Sequence, residues 1–475
     1  MSSKPAVGWL ARIAFGLGSY AEGIKSGAFS YFLLFYYNQA LGLSGSLAGT
    51  ALAIALVVDA VTDPLVGSIS DRHRSRWGRR HPFMYGSALP FALVFYLCFV
   101  PPENLGQAGL FVWLLIFAVA TRAALTFYSV PHMTLGAELT PDYDERTTLA
   151  AIRSFLSIAG GVSVVMAGFG IFFAGDGQLD RANYPAFALT AAIAMVVTIV
   201  LSGIGTHSYI PRLPKAPAEH IAFSLRRLLR ELREAASLPP FRFILSSMIA
   251  NAAVMGLLAT LATYMLTFFW QLEGVALGVQ LSTGMSGGVF GALIASPVAG
   301  RMGNKRNAKI LGMLWFAFFT SLMTSCRLLG WAPENGDPLL LPLLMCNSFV
   351  GGLGMGLTSV LGSAMIADVT DEHERVHGTR QEGIYYSAIS FVGKATSGLG
   401  TLLAGTAIDF VGLDPNADPA TVPSTVINGL GIVYGPSVLL LILLPIGLLW
   451  GYDIDRKRHE EIRHDIAEAR KARAE

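Results

Sequence analysis

The chain has 475 residues, 53% of them hydrophobic and only 14% charged, with a formal net charge of +2. The charged fraction is about half that of an ordinary soluble protein. A soluble chain of this length would split into two or three domains, and the number and length of the apolar runs exclude that.

A helix that spans a membrane needs about 20 predominantly apolar residues. In chain order, twelve segments qualify: 12–38, 46–70, 82–101, 109–139, 150–174, 184–210, 241–271, 281–303, 308–330, 338–368, 382–411 and 426–452. The polar start, MSSKPAVGW, leads directly into the first span, so a cleavable signal peptide is not expected. Cys98, Cys326 and Cys346 lie in apolar segments at no metal-like spacing and read as small core residues, with no disulfide or metal.

The net charge says little, because the charges are sorted by loop. DRHRSRWGRRH at 71–81 holds five arginines, and Arg301, Lys305, Arg306 and Lys309 follow span 8. The loops of opposite parity hold one basic residue, Arg181. Positive charge marks the cytoplasmic side, so both termini are expected there. The long loop 211–240 contains FSLRRLLRELREAASL, which reads as an amphipathic helix on the inner membrane surface.

The two halves look related. DPLVGSISDR at 63–72 aligns with SPVAGRMGNK at 296–305, and DYDERTTLAAIRSF at 142–155 more loosely with DEHERVHGTRQEG at 371–383. Two six-span halves related by a repeat are the layout of major facilitator transporters. The expected fold is therefore all-α and integral to the membrane, with 12 transmembrane helices in two pseudo-symmetric six-helix bundles. The bundles would occupy 1–210 and 241–452, with 211–240 as linker and 453–475 as a charged cytoplasmic tail.

Ionisable groups inside a span cost roughly 3 kcal/mol each on insertion scales and usually face a cavity or a partner. The candidates are Glu22, Lys25, Asp59, Asp63, Arg122, Arg153, Lys394 and Asp409. Glu138, Asp368 and Arg153 lie near cytoplasmic ends, where a structural charge network accounts for them as well as transport does. Asp59 and Asp63 differ. Four apart, they share one face of span 2, and two bare carboxylates so close would repel. Either a proton stays on one or a cation sits between them. Sodium suits carboxylate and hydroxyl oxygens, and Thr62 can add one. Asp63 aligns with Ser296 in the second half, so the shared scaffold does not need the acid. Lys394 in span 11 is the natural counter-charge, holding the site neutral until a cation displaces it. GGLGMG at 351–356 reads as close helix packing. The chain shows no Walker motif and no nucleophile–base arrangement, so neither ATP drive nor an enzyme is indicated.

DAVTDPLVG at 59–67, SDRHRSRWGRRHPF at 70–83, VPHMTLGAELTPDYDER at 130–146 and RQEGIYYSAISFVGKATSG at 380–398 resemble the glycoside–pentoside–hexuronide cation symporters, the melibiose permease group of the major facilitator superfamily. TDPLVG and the span 11 lysine also resemble the vertebrate sodium-coupled lysolipid symporter. The resemblance implies that Asp59 and Asp63 are the cation carboxylates, that Thr126 matches a hydroxyl ligand, that Lys394 is the lysine beside them, and that Arg153 matches an arginine near the cytoplasmic gate. Two departures stand out. An asparagine between the family's acids is Thr62 here. The positions matching its two sugar-gripping aspartates are Gly23 and Ser129, which argues against a galactoside held in the same manner.

The expected function is symport, driven by sodium or protons, of a sugar, glycoside or sugar acid by alternating access, with a lysophospholipid or other amphiphile as the alternative cargo. Expected cargo contacts are Tyr20, Glu22, Lys25, Arg122, Tyr128 and Ser129. No cofactor beyond the coupling ion and no nucleic-acid partner are expected. The protein is expected to work as a monomer among the lipids of the plasma (inner) membrane.

Overall fold

The computed structural model of the chain describes residues 7–140, 142–175, 177–213, 230, 237–377 and 382–474. Among the described residues there are helices and turns and no strand. The first half consists of α1 (Trp9–Ala28, carried on by wider turns to Ala40), α2 (Gly45–Arg72), α3 (His81–Cys98), α4 (Gln107–Leu139), α5 (Tyr143–Ala167) and α6 (Tyr184–His207). The second consists of α7 (Pro239–Tyr264), α8 (Gly274–Met302), α9 (Lys305–Leu328), α10 (Leu340–His377), α11 (Glu382–Val411) and α12 (Ser424–Leu449). Ten of these are both long and apolar enough to cross a membrane. α1 and α11 complete two bundles of six. The expected amphipathic helix at 211–240 falls mostly outside the described residues.

The twelve helices coincide with the twelve apolar segments, but several run further. α5 starts at Tyr143 rather than near 150, and α10 continues to His377 rather than stopping near 368. Hydropathy sees only the apolar part of a helix. Once nucleated, the helix extends into polar sequence, because each added residue gains a backbone hydrogen bond. Asp142 sets the start of α5 by accepting from the Glu145 amide at 2.9 Å. Large side chains such as Leu89, Leu293 and Phe410 face outward and are 70–89% exposed. A belt of that kind suits lipid and not water.

Glycines set how closely the helices approach. α8 and α10 interlock on both sides: a Cβ on Gly287 would lie 2.1 Å from the Phe349 carbonyl, and one on Gly356 would lie 1.9 Å from the Gly288 carbonyl. This is the GGLGMG stretch, and its role is close backbone packing. α1 and α5 do the same, with a Cβ on Gly23 placed 1.9 Å from the Ser157 carbonyl and one on Gly160 placed 2.2 Å from that of Tyr20.

The two halves meet at the face away from the chain termini. Asp409 of α11 accepts from the Gly45 and Ser46 amides, both at 2.8 Å, and so caps α2 of the other half. Asn38 pairs with the Tyr264 hydroxyl at 3.0 Å, and Gln39 bonds the backbone of Asp414 and Ala417. Among the described residues, the ion pairs at the terminal face stay within one half. Buried Arg80 joins Asp71 (2.5 Å) and Glu138 (2.8 Å), and Lys305 holds Asp368 at 2.7 Å. Glu138 and Asp368 therefore belong to structural networks, one of the two readings open from the sequence. The charged tail forms a helix, α13 (Arg456–Ala474), docked on the end of α10. Arg458 bonds Glu372 at 3.0 Å, His459 lies 3.3 Å from Asp371, and Ile462 is fully buried.

These contacts predict opposite outcomes for two glycine substitutions. Gly356→Ala must push α8 from α10 and should lower the melting temperature, with a cost of about 1–3 kcal/mol. Gly300→Ala, where nothing lies within 4 Å of the added carbon, should leave the temperature unchanged or raise it. Equal thermal shifts for the two would contradict the packing described.

Candidate functional site

The acid pair lies midway along α2. Pro64, inside the helix, has no N–H, so the backbone beside the acids lacks one hydrogen bond. Asp59 and Asp63 sit one turn apart and are 6% exposed and partly exposed, respectively. Thr126 of α4 faces both. Its hydroxyl is 3.0 Å from Asp59 Oδ1, 3.0 Å from Asp63 Oδ1 and 3.1 Å from the Arg122 carbonyl. A hydroxyl has one proton to give, so at most one of these three acceptors is served at a time. Several oxygens thus converge on one point with too few protons, which is the donor set a small hard cation or an added proton would satisfy.

In this structure the positive charge comes from the protein. Lys394 of α11 reaches across from the second half, with Nζ 2.5 Å from Asp63 Oδ2 and 3.2 Å from Asp59 Oδ2. Arg122 lies 3.5 Å from Asp59 Oδ2 and stacks over the Phe29 ring. Lys25 of α1, 4% exposed, also lies over the Phe29 ring, at 4.7 Å, and within Coulombic reach of Asp59 and Arg122. Two carboxylates therefore face three basic groups. A further cation can enter only if one of these charges leaves, and Lys394 is the one carried by the opposite half.

The remaining sequence candidates divide. Thr62 donates to the Asp59 carbonyl of its own helix at 3.0 Å, so its proton is directed at the backbone. Among the described residues, Thr126, Arg122 and Lys394 are the groups bonded to the acids, and Arg153, half-buried on α5, is not one of them. Tyr20 bonds Ser163 at 2.7 Å and serves the α1–α5 contact. Glu22 lies 3.8 Å from His132. Tyr128 is fully buried, stacked on His132, with its hydroxyl against Gly18. Ser129, next along α4, is half-buried. Gly23 faces the α5 backbone with no room for a side chain. A carboxylate could not stand there in this packing.

A cavity of about 1120 Å³ lies chiefly in the second half, walled by α7, α8, α9 and α10, with Phe155 and Ile158 of α5 closing one side. Its lining is mostly apolar and rich in methionine, including Met248, Met255, Met285 and Met355. Gly393, the neighbour of Lys394, is part of the wall, so the cavity reaches the region of the acid pair. The six expected cargo contacts do not line it. The sequence does not reveal the role of two residues. Asp409 reads there as an intramembrane charge, but its capping of α2 needs the two halves docked. Lys309 reads as one of the basic residues after span 8 although the apolar segment 308–330 already includes it; the structure places it inside α9, 2% exposed and part of the cavity wall.

Three relatives and one solved structure set this geometry in context. The chain is 26% identical to an isoprimeverose transporter of Lactiplantibacillus pentosus, covering 85% of this chain and 80% of that one. It is 25% identical to the putative glycoside/cation symporter YagG of Escherichia coli over 98% and 96% of the two chains. It is 22% identical to the sodium-dependent lysophosphatidylcholine symporter 1-A of Danio rerio over 96% and 88%. The inward-open xylose transporter XylE from E. coli superposes with a TM-score of 0.60 at 15% identity, covering 96% and 98%, which establishes the likeness of fold. Residues 14–456 match the family described as MFS/sugar transport protein, and the chain, a multi-pass membrane protein of twelve helices in two bundles, belongs to that family.

Proposed function

We propose that the protein is a cation-coupled symporter of a sugar, glycoside or sugar acid. It works as a monomer in the inner membrane, with both termini on the cytoplasmic side. The observation that carries the coupling is Lys394, a charge of the second half seated between the acids of the first. It occupies the place of the coupling ion, sodium or a proton. The halves, 1–210 and 241–452, touch at the face away from the termini, which corresponds to a state open to the cytoplasm.

The cycle follows from charge. Opening to the outside separates α2 from α11 and withdraws Lys394. Asp63 then loses the ion-pair partner it has among the described residues, and Asp59, Asp63 and Thr126 take up a cation in its place. Cargo binding in the cavity, whose wall reaches Gly393 beside Lys394, favours closure, and by linkage each ligand strengthens the other. Return to the present state brings Lys394 back to the acids and expels the ion. Tyr20 and Tyr128 hold α1 in place for this, and Ser129 and Arg153 border the route. The cavity's methionine-rich lining favours a second reading in which the cargo is an amphiphile such as a lysolipid, with the same coupling.

Two variants test the cycle. Asp63→Asn leaves Lys394 paired with Asp59 at 3.2 Å, so the protein should fold. Cation-driven uptake into cells or proteoliposomes should fall at least about tenfold, while cargo exchange across the membrane persists. Uptake that still follows the cation gradient in this variant would remove Asp63 from the coupling. Asp409→Ala strips two charge-assisted bonds from the outer contact, worth about 1–2 kcal/mol together. It should raise the outward-open population roughly tenfold, read as faster thiol labelling at a cysteine placed on the outer face. Unchanged labelling would show that the cap does not hold the halves together.

A further inference from the structure

Among the described residues, Lys309 is the charged residue on the wall of the second-half cavity, and the described lining includes neither aspartate nor glutamate. It is 2% exposed, and among the described residues it has no ion pair and no hydrogen bond. The neighbouring basic residue, Lys305, does have its acid, Asp368 at 2.7 Å. Space for the ammonium is provided by a glycine: a Cβ on Gly362 would lie 3.0 Å from Lys309 Nζ. One turn along both helices, the buried Thr358 hydroxyl abuts Gly312, also lines the cavity, and has no hydrogen-bond partner among the described residues. A lone ammonium and a spare hydroxyl in an apolar cavity are donors without an acceptor. Buried polar groups are normally satisfied, and a buried charge is normally paired.

We propose that Lys309, supported by Thr358, binds the anionic group of an acidic cargo, a carboxylate or a phosphate, inside this cavity. The inference deepens the transport reading above and rests on it. An anion entering from water supplies the missing charge and accepts from both donors, while the methionines and glycines of the wall receive the rest of the molecule. The site is separate from the acid pair. The coupling cation is handled by α2, α4 and α11, and the anion by α9 and α10.

The test uses the full chain in lipid nanodiscs, titrated with two matched pairs. One pair is methyl glucuronide and methyl glucoside. The other is lysophosphatidylglycerol and a monoacylglycerol of the same chain length. In at least one pair the anionic member should bind about tenfold more tightly or better, as expected for a charge-assisted hydrogen bond. Lys309→Met should bring the ratio close to one, and Lys309→Arg should restore it. A preference in the sugar pair identifies a sugar acid, and one in the lipid pair a phosphate headgroup. Equal binding within both pairs, binding by none of the four, or a preference that survives Lys309→Met overturns the proposal, as does an equal loss for charged and neutral members. The two readings can fail separately. Anion preference with uptake indifferent to Asp63→Asn sinks the symporter and keeps this site, whereas cation-coupled uptake without the preference does the reverse.

Discussion

The structure turns on one shared charge. Two carboxylates within a turn of each other in a membrane helix cannot stand alone, and the second half of the molecule provides the lysine that compensates them. On the proposed cycle, conformation and ion occupancy are the same variable. With the halves docked as they are here, Lys394 satisfies the acids. When the halves part, something else must. No long-range signal between distant sites is required, because a single contact carries both facts.

That contact needs a rigid setting, and close backbone packing supplies it. Within each bundle, glycines on α1 and α5 and on α8 and α10 bring helices to distances at which an added methyl group would collide with a carbonyl. In lipid there is little hydrophobic gain from pressing apolar helices together, so this fit is what holds each bundle. The Asp409 cap differs in kind. It joins a carboxylate to two amides at the open end of a helix across the two halves, and on the proposed cycle it releases when the halves part.

The distribution of charge separates the tasks of the two halves. The first half concentrates its intramembrane ions around Asp59, with Lys25 and Arg122 close by. The second presents an apolar cavity with, among the described residues, a single basic side chain at its wall. The repeat that relates the halves provides a common scaffold with proline in α2 and α8, while the ionisable residues grafted onto it differ.

Much of this was legible in the chain alone. Apolar run length identified the helices, because backbone polar groups in lipid must be satisfied within the segment. The four-residue spacing put Asp59 and Asp63 on one face, and loop charge indicated an orientation. Resemblance to a known family singled out Thr126, which no local pattern would have distinguished from other threonines. Tertiary structure alone decided the rest. Whether Lys394 reaches Asp63 depends on how α11 lies against α2. Whether Gly23 could ever have carried a cargo contact depends on the backbone of α5, and whether Lys309 is a loop charge or a buried one depends on where α9 begins and what covers it. Periodicity reports which face of a helix a residue occupies, but not which neighbour that face meets, because the neighbour is fixed by packing between segments hundreds of residues apart.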